Sequence, residues 1–287
     1  MQILCFDIGG TNIKYKLLGI EKETNLMDTR KNKEQNFILE DVLEKISEYN
    51  KKYKINAIGI STAGVVDNVS GSVIFAGPTI PGYTNTNFKE IVEKKFGIPC
   101  FVENDVNSAA FGEYVFSNLT GDTVCITIGT GLGGAIIIDD KIYSGKNMTA
   151  GEIGYMPYKG EHIQKYASAT YIVNRYFELA GEKLNGKKIF EKAKTEDSIA
   201  LKVIEEMIDA MSVAILNIMY LLNPKQIIVG GGITAQGEYL EKLIIDKVSE
   251  KVIDKKFLSK IQLARLSNDA GLFGIYNIVL RNLKNLS

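Results

Sequence analysis

Apolar residues in the first twenty positions fall into two runs, ILCFDI and NIKYKLLGI, divided by Gly9-Gly10. The first run is almost continuous and the second partly alternates, which predicts strand, glycine turn and strand, a hairpin and not a strand feeding a helix. Ile38, Val42, Leu43 and Ile46 recur at three- and four-residue spacing and predict a helix over 37–49, followed by a strand over 55–61. A turn-rich stretch closes around 77–82. Beyond it the pattern predicts a helix over 88–96, a strand over 100–103 and a helix over 108–115, the alternation of an α/β domain.

After Asn118 the layout begins again, because TVCITIGTGLGGAIIIDDK repeats the strand, glycine turn and strand of the N-terminus. The chain reads as internally duplicated. Helices follow over 166–179 and 198–222, the second with Ile199, Val203, Met207, Met211 and Ile215 on one face and Asn223-Pro224 as its stop. A third strand with a glycine turn, QIIVGGGIT, precedes a helix over 239–252, a strand over 261–266 and a closing helix over 271–286. At roughly 100 to 200 residues per domain, 287 residues suggest two domains.

Charge and composition narrow the function classes. Lys and Arg total 34 against 34 Asp and Glu, so no net charge draws the chain to nucleic acid or an anionic membrane. A hydrophobic content of 45% supports a proper core. Cys5, Cys100 and Cys125 are odd in number and lie far apart in strand-like runs, which fits buried free thiols in a reducing cytoplasm. A single histidine, His162, without any Cys-x-x-Cys pair argues against structural zinc, and no nucleophile elbow exists for a Ser-His-Asp triad. MQILCFDIGG lacks the basic n-region of a signal peptide, and 211–222 is too short for a bilayer span of ~20 residues.

Gly129-x-Gly131-x-x-Gly134 matches the dinucleotide fingerprint formally, yet a strand follows it where the fingerprint needs a helix N-terminus, and no Walker motif occurs. Three glycine turns remain, at Gly9-Gly10-Thr11, Gly129 to Gly134 and Gly230 to Gly232, each leaving an apolar strand. Taken singly, each reads equally well as a tight β-turn. Taken together, they offer backbone N–H groups that can approach phosphate oxygens, with Thr11 and Thr130 adding hydroxyl donors.

The order of these turns, with Asp7 before the first and Glu103-Asn104-Asp105-Val106-Asn107 between the first and second, resembles the ROK family of sugar kinases and repressors over essentially the whole chain. The resemblance implies an α/β fold of two ribonuclease-H-like, actin-like ATPase domains with an interdomain active-site cleft. The N-terminal domain would span 1–117 and be joined by the C-terminal helix 269–287, and the second domain would span 118–268. Asp7, Gly9, Gly10, Thr11 and Lys14 look like the first phosphate motif, Thr130, Gly131 and Gly133 lie in the second, and Gly231 in the adenosine motif. The implied cofactors are ATP and Mg²⁺, with Asp7 holding the metal through water. Asp105 is the implied base, Asn104 orients the sugar, and Gly64 joins the sugar contacts. Two positions stay open: Asp105 sits where a helix begins and reads also as an N-cap, and Lys14 reads equally as a solvated strand residue.

The family pattern breaks on the sugar side. The usual Gly-Glu-Ile-Gly-His stands here as Gly151-Glu152-Ile153-Gly154-Tyr155, so Tyr155 replaces a zinc ligand, and 157–166 contains no cysteine. Gln164 aligns with a sugar-gripping Glu, and Thr79 with an Asn that commonly meets the sugar. His162 reads as a loop residue. Glu152 stays a sugar-binding candidate or an ordinary loop carboxylate, and Tyr155 would add a stacking face or hydroxyl. Intact phosphate and base motifs with altered specificity positions imply a zinc-free kinase acting on the 6-hydroxyl of a hexose or N-acylhexosamine. N-acetylmannosamine ranks first, ahead of β-glucosides and of glucokinase- or fructokinase-like activity. A homodimer without nucleic-acid or membrane partners is implied. A sugar-sensing regulator without a DNA-binding domain is the non-enzymatic alternative, since Asp7 leaves no room before it for the helix-turn-helix of family repressors. The ENDVN segment argues against a filament or chaperone ATPase.

Overall fold

The computed structural model describes residues 1–77 and 80–286, the last two of these by backbone only. The chain divides into two compact units, one built from Met1–Leu119, Ser144–Thr149 and the stretch from Asn268 onward, the other from Thr120–Tyr143 and Ala150–Ser267.

In the first unit β1 (Ile3–Ile8) and β2 (Asn12–Leu18) form the expected hairpin, and β3 (Asn25–Asp28) extends it. Helix α1 (Ile38–Asn50) leads to β4 (Ala57–Thr62), which pairs parallel with β1. A three-stranded ribbon of β5 (Val65–Asp67), β6 (Ser72–Phe75) and β7 (Thr86–Asn87) precedes α2 (Phe88–Phe96), β8 (Cys100–Asn104) and α3 (Asp105–Phe116). The main sheet runs β3-β2-β1-β4-β8. Because alternate residues of a strand face opposite ways, Leu4 and Phe6 pack with Val42, Ile46, Phe88 and Val92 on one face, while Ile3 and Cys5 meet the C-terminal helix on the other.

The second unit repeats that topology. Strands β9 (Thr123–Ile128), β10 (Leu132–Ile138) and β11 (Lys141–Ile142) form the antiparallel part. A two-stranded hairpin, β12 (Pro157–Tyr158) and β13 (Glu161–His162), precedes α4 (Ala169–Ala180), α5 (Gly186–Lys194) and α6 (Ser198–Leu222). Then β14 (Gln226–Gly230), α7 (Glu238–Lys251) and β15 (Lys260–Leu263) complete a sheet ordered β11-β10-β9-β14-β15. Helix α6 is the spine of this core, with Val203, Met207, Met211 and Ile215 fully buried. Asp197 caps its N-terminus by accepting from the Ala200 N–H at 2.8 Å, and Asn223 ends it in the left-handed region before Pro224.

The C-terminal helix, α8 (Ala270–Leu286), returns to the first unit. Its approach to α3 depends on small residues: a Cβ on Gly112 would lie 2.6 Å from the Ala270 carbonyl oxygen, and one on Gly274 would overlap the Ser108 carbonyl. Sequence periodicity missed β3, the β5–β7 ribbon, the β12–β13 hairpin and α5, whose Ile189, Phe190 and Ala193 are buried within a lysine-rich segment. Helix α3 starts at Asp105, three residues earlier than expected, because Asn104 caps it. No helix among the described residues is long and apolar enough to cross a membrane.

Candidate active site

Strand register assembles the first cluster. Parallel pairing sets Asp7 beside Ser61, Ser61 beside Glu103, and Thr62 beside Asn104, so the carboxyl ends of β1, β4 and β8 carry adjacent polar residues. Asp7 Oδ1 accepts from the buried Ser61 hydroxyl at 2.9 Å, and Lys14 Nζ lies 3.7 Å from Oδ2 while donating to the Asn268 carbonyl at 2.7 Å. Lys14 is therefore tethered beside Asp7 with its side chain 30% exposed. Helix α8 begins against the same carboxylate: a Cβ on Gly271 would stand 2.6 Å from Asp7 Oδ1. Burial raises the Asp7 pKa, opposed by the Ser61 hydrogen bond and the Lys14 charge.

Asn104, not Asp105, is the N-cap of α3. Its Oδ1 accepts from the Asn107 N–H at 3.0 Å, and its amide nitrogen donates to the Gly64 carbonyl at 2.8 Å and to Asp105 Oδ1 at 3.0 Å. The cap alternative for Asp105 is thus corrected: Asp105 is the first helical residue, free of capping duty because its neighbour performs it. Gly64 has φ +101°, and a Cβ there would come within 2.7 Å of the Phe75 carbonyl, so glycine is what lets its own carbonyl reach Asn104. Asp105 Oδ1 also accepts from the Val106 N–H at 2.9 Å. Burial pushes the Asp105 pKa up to about 6, with the Asp7 charge adding to the rise and the hydrogen bonds opposing it. A carboxylate poised there is suited to general-base work near neutral pH.

Ser61, which the sequence motifs did not include, and Glu103, which opens the ENDVN motif without an assigned role, complete this cluster. Ser61 is the donor to Asp7, and Glu103, only 3% exposed, accepts from Asn68, Asn107 and the Asn104 N–H at 3.0, 3.0 and 2.9 Å. Their signal was a polar side chain inside an apolar strand, in IGIST and in FVEN. At the first glycine turn the Gly9 N–H donates to the Asn12 carbonyl at 3.0 Å, and the Gly9 carbonyl accepts from the Thr29 hydroxyl at 2.8 Å. A Cβ on Gly10 would meet only Lys31 Nζ, at 3.8 Å, and Thr11 is exposed, so the turn presents open backbone.

The second unit carries the remaining candidates. The turn at 129–131 is pinned to the start of α4, since the Ala169 N–H donates to the Gly129 carbonyl at 2.9 Å and the Thr170 hydroxyl to the Thr130 carbonyl at 2.7 Å. A groove of about 640 Å³ opens there, lined by Thr130, Gly131, Gln164, Lys165, Ser168 and Asn174 among others. Gly133 lies in β10 opposite Thr127. Gln164 reaches into the turn: a Cβ on Gly131 would be 2.5 Å from its Oε1, and one on Gly154 3.2 Å. Glu152 stands at the N-cap of the one-turn helix at 153–155 and Tyr155 is its last residue; both side chains reach solvent, and desolvation of the Glu152 carboxyl raises its pKa. Gly231, at φ +93°, packs so closely on β9 that a Cβ would sit 2.7 Å from the Ile128 nitrogen. Thr79 lies outside the described residues.

The ROK family profile matches residues 3–282. A β-glucoside kinase of Listeria monocytogenes is 29% identical, covering 96% of this chain and 96% of its own. Among solved structures, a candidate N-acetylmannosamine kinase from Listeria monocytogenes superposes with a TM-score of 0.84 at 27% identity, covering 98% of this chain and 100% of that one. A glucokinase from Streptomyces griseus, solved with glucose and AMPPNP, gives a TM-score of 0.78 at 28% identity over 97% and 99% of the two chains.

Proposed function

This chain belongs to the ROK family, and from that premise we propose that it is an ATP-dependent sugar kinase, transferring the γ-phosphoryl group to the 6-hydroxyl of a hexose or N-acylhexosamine, with N-acetylmannosamine as the leading substrate. The observation that carries the reading is Asp105: a carboxylate at the first position of α3, freed from capping by Asn104, with its pKa raised to about 6. With Oδ1 held by Val106 and Asn104, Oδ2 is the atom that receives the hydroxyl proton. The sugar oxygen then bonds to the γ-phosphorus as the bond to the bridging oxygen of ADP breaks.

Asp7 is a single carboxylate with one oxygen bonded to Ser61, and this suits a Mg²⁺ that keeps most of its shell as water and phosphate oxygen. When bound, the metal supplies charge neutralisation on the phosphates. Lys14, Thr11, Thr130 and the backbone of Gly9, Gly10, Gly131, Gly133 and Gly231 are assigned to the nucleotide. Gly64, Thr79, Asn104, Glu152, Tyr155 and Gln164 are assigned to the sugar, with Asn104 also fixing Asp105. The same reading takes the protein as a cytoplasmic homodimer, which solution mass tests.

A β-glucoside is the second substrate reading, favoured by the relative of that name. A coupled ADP-release assay with Mg-ATP across N-acetylmannosamine, glucose, mannose, N-acetylglucosamine, fructose and cellobiose decides between them. Turnover of one sugar, reduced by about 10²–10⁴-fold in Asp105→Asn, supports the kinase. A sugar that binds without being phosphorylated replaces the enzyme by a sensor.

A further inference from the structure

The segment 150–168 contains no cysteine, and its single histidine, His162, has no thiolate partner for zinc. The chain has three cysteines, Cys5, Cys100 and Cys125, all buried elsewhere, and no group of three His, Cys, Asp or Glu able to hold a metal occurs among the described residues. His162, the single histidine, has Nδ1 3.1 Å from the Tyr155 carbonyl and its ring edge-on to Tyr155 at 5.4 Å. Yet the β12–β13 hairpin is tied down firmly. Tyr158 meets Tyr166 edge-to-face at 5.2 Å, and Tyr166 meets Tyr171 at 5.8 Å. Lys159 Nζ, on the hairpin turn, lies 5.0 Å from the Tyr158 ring centre and 6.0 Å from that of Tyr166.

Both ends of this row are anchored on α6. The Tyr158 hydroxyl donates to Asp209 Oδ2 at 3.3 Å, and Asp209 is itself paired with Lys251. The Tyr171 hydroxyl donates to Glu206 at 2.6 Å, and Arg175 braces the same carboxylate at 3.2 Å. Between hairpin and row, the one-turn helix at 163–165 buries Ile163 completely and so fixes the direction of the next side chain, Gln164. Gln164 Oε1 occupies the space that Gly131 and Gly154 leave by lacking a Cβ.

We propose that the Tyr158–Tyr166–Tyr171 row, covered by Lys159 and anchored on Asp209 and Glu206, is a metal-independent clasp whose function is to position Gln164 for sugar selection. The three tyrosines and Lys159 are positioning residues. An aromatic and cation–π row can hold a hairpin because each contact is modest but all of them converge on one short segment. The inference rests on the sugar-kinase reading for its consequence and on unit geometry for its mechanism.

The test uses the full chain with Tyr166→Ala, Tyr166→Phe and Lys159→Ala. Tyr166→Ala is expected to raise amide exchange over 157–166 and the sugar KM by about tenfold each, while kcat changes by less than about threefold. Tyr166→Phe, which keeps the ring, should restore both, and Lys159→Ala should produce the same pattern in weaker form without a folding defect. Elemental analysis should find no stoichiometric zinc, and 1,10-phenanthroline should leave exchange over the segment unchanged. One zinc per chain, or unchanged exchange in both alanine variants, overturns the clasp. Increased exchange with an unaltered sugar KM overturns the selection role. If the wild type phosphorylates no sugar, the kinase reading fails, while exchange and zinc content still decide the clasp.

Discussion

Asp105→Asn separates the chemical role of this carboxylate from its effect on stability. The side chain keeps its shape, and the amide oxygen can still accept from the Val106 N–H and the Asn104 amide, so what changes is the charge. For an aspartate raised from 3.8 to about 6, at 1.36 kcal/mol per pH unit, holding the charged form in the fold costs about 3 kcal/mol. The direction follows from proton counts. Between those two values the unfolded chain is ionised while the folded one is protonated, so wild-type stability is fully present below pH 3.8 and is lost as pH rises through about 6. Asn has no such loss. The variant should match the wild type near pH 4 and exceed it by about 3 kcal/mol at pH 8, or about 6 °C in melting temperature for a chain of this size. Calorimetric melting of both proteins at half-unit steps from pH 4 to 8 reads this directly. Parallel curves would refute the raised pKa, and with it the argument that Asp105 is a poised base. Greater stability combined with a 10²–10⁴-fold fall in kcat would mark a residue kept for reaction at the expense of folding.

Other perturbations report on separate contacts. In the wild type, kcat/KM should rise tenfold per pH unit and level off above about pH 6, because Asp105 must be ionised to accept a proton; a profile flat from pH 4.5 to 8 contradicts this. Gly271→Ala places a methyl 2.6 Å from Asp7 Oδ1 and should lower kcat/KM by about 100-fold with the circular dichroism spectrum preserved; unchanged Mg-ATP kinetics would show that Asp7 tolerates displacement. Gly231→Ala forces a side chain onto φ +93° and into the Ile128 backbone, and should destabilise by about 3 kcal/mol or more, read from urea denaturation; an unchanged midpoint would disprove the strain. Ser61→Ala removes the donor to Asp7 at a fully buried position and should cost about 1–3 kcal/mol in the same assay, with a wild-type midpoint as the contrary result.

Much of this protein was legible along the chain because the signals were local. Continuous apolar runs at 3–8 and 123–128 marked strands buried on both faces, and glycine clusters after them marked turns where backbone must be exposed. The repeat of that layout anticipated two sheets of the same strand order, and the glycine turns together with the ENDVN segment carry the resemblance to the family. Periodicity failed where segments were short or where charge masked the apolar face, as in α5 and the β5–β7 ribbon.

What only the tertiary structure decided were pairings between residues distant in sequence. That Ser61 serves Asp7 depends on the parallel register of β1 and β4, 54 positions apart, which no local pattern encodes. Whether Asn104 or Asp105 caps α3 depends on which side chain reaches the Asn107 N–H, and the answer turns on a carbonyl at Gly64 that holds the Asn104 amide in place. Tyr158 in the hairpin and Tyr166 and Tyr171 beyond it are ordinary residues in the sequence. They come into contact because α4 carries Tyr171 and α6 carries Glu206 and Asp209 to the same place, and hydrogen bonds and ring contacts act only over the few ångströms that folding closes.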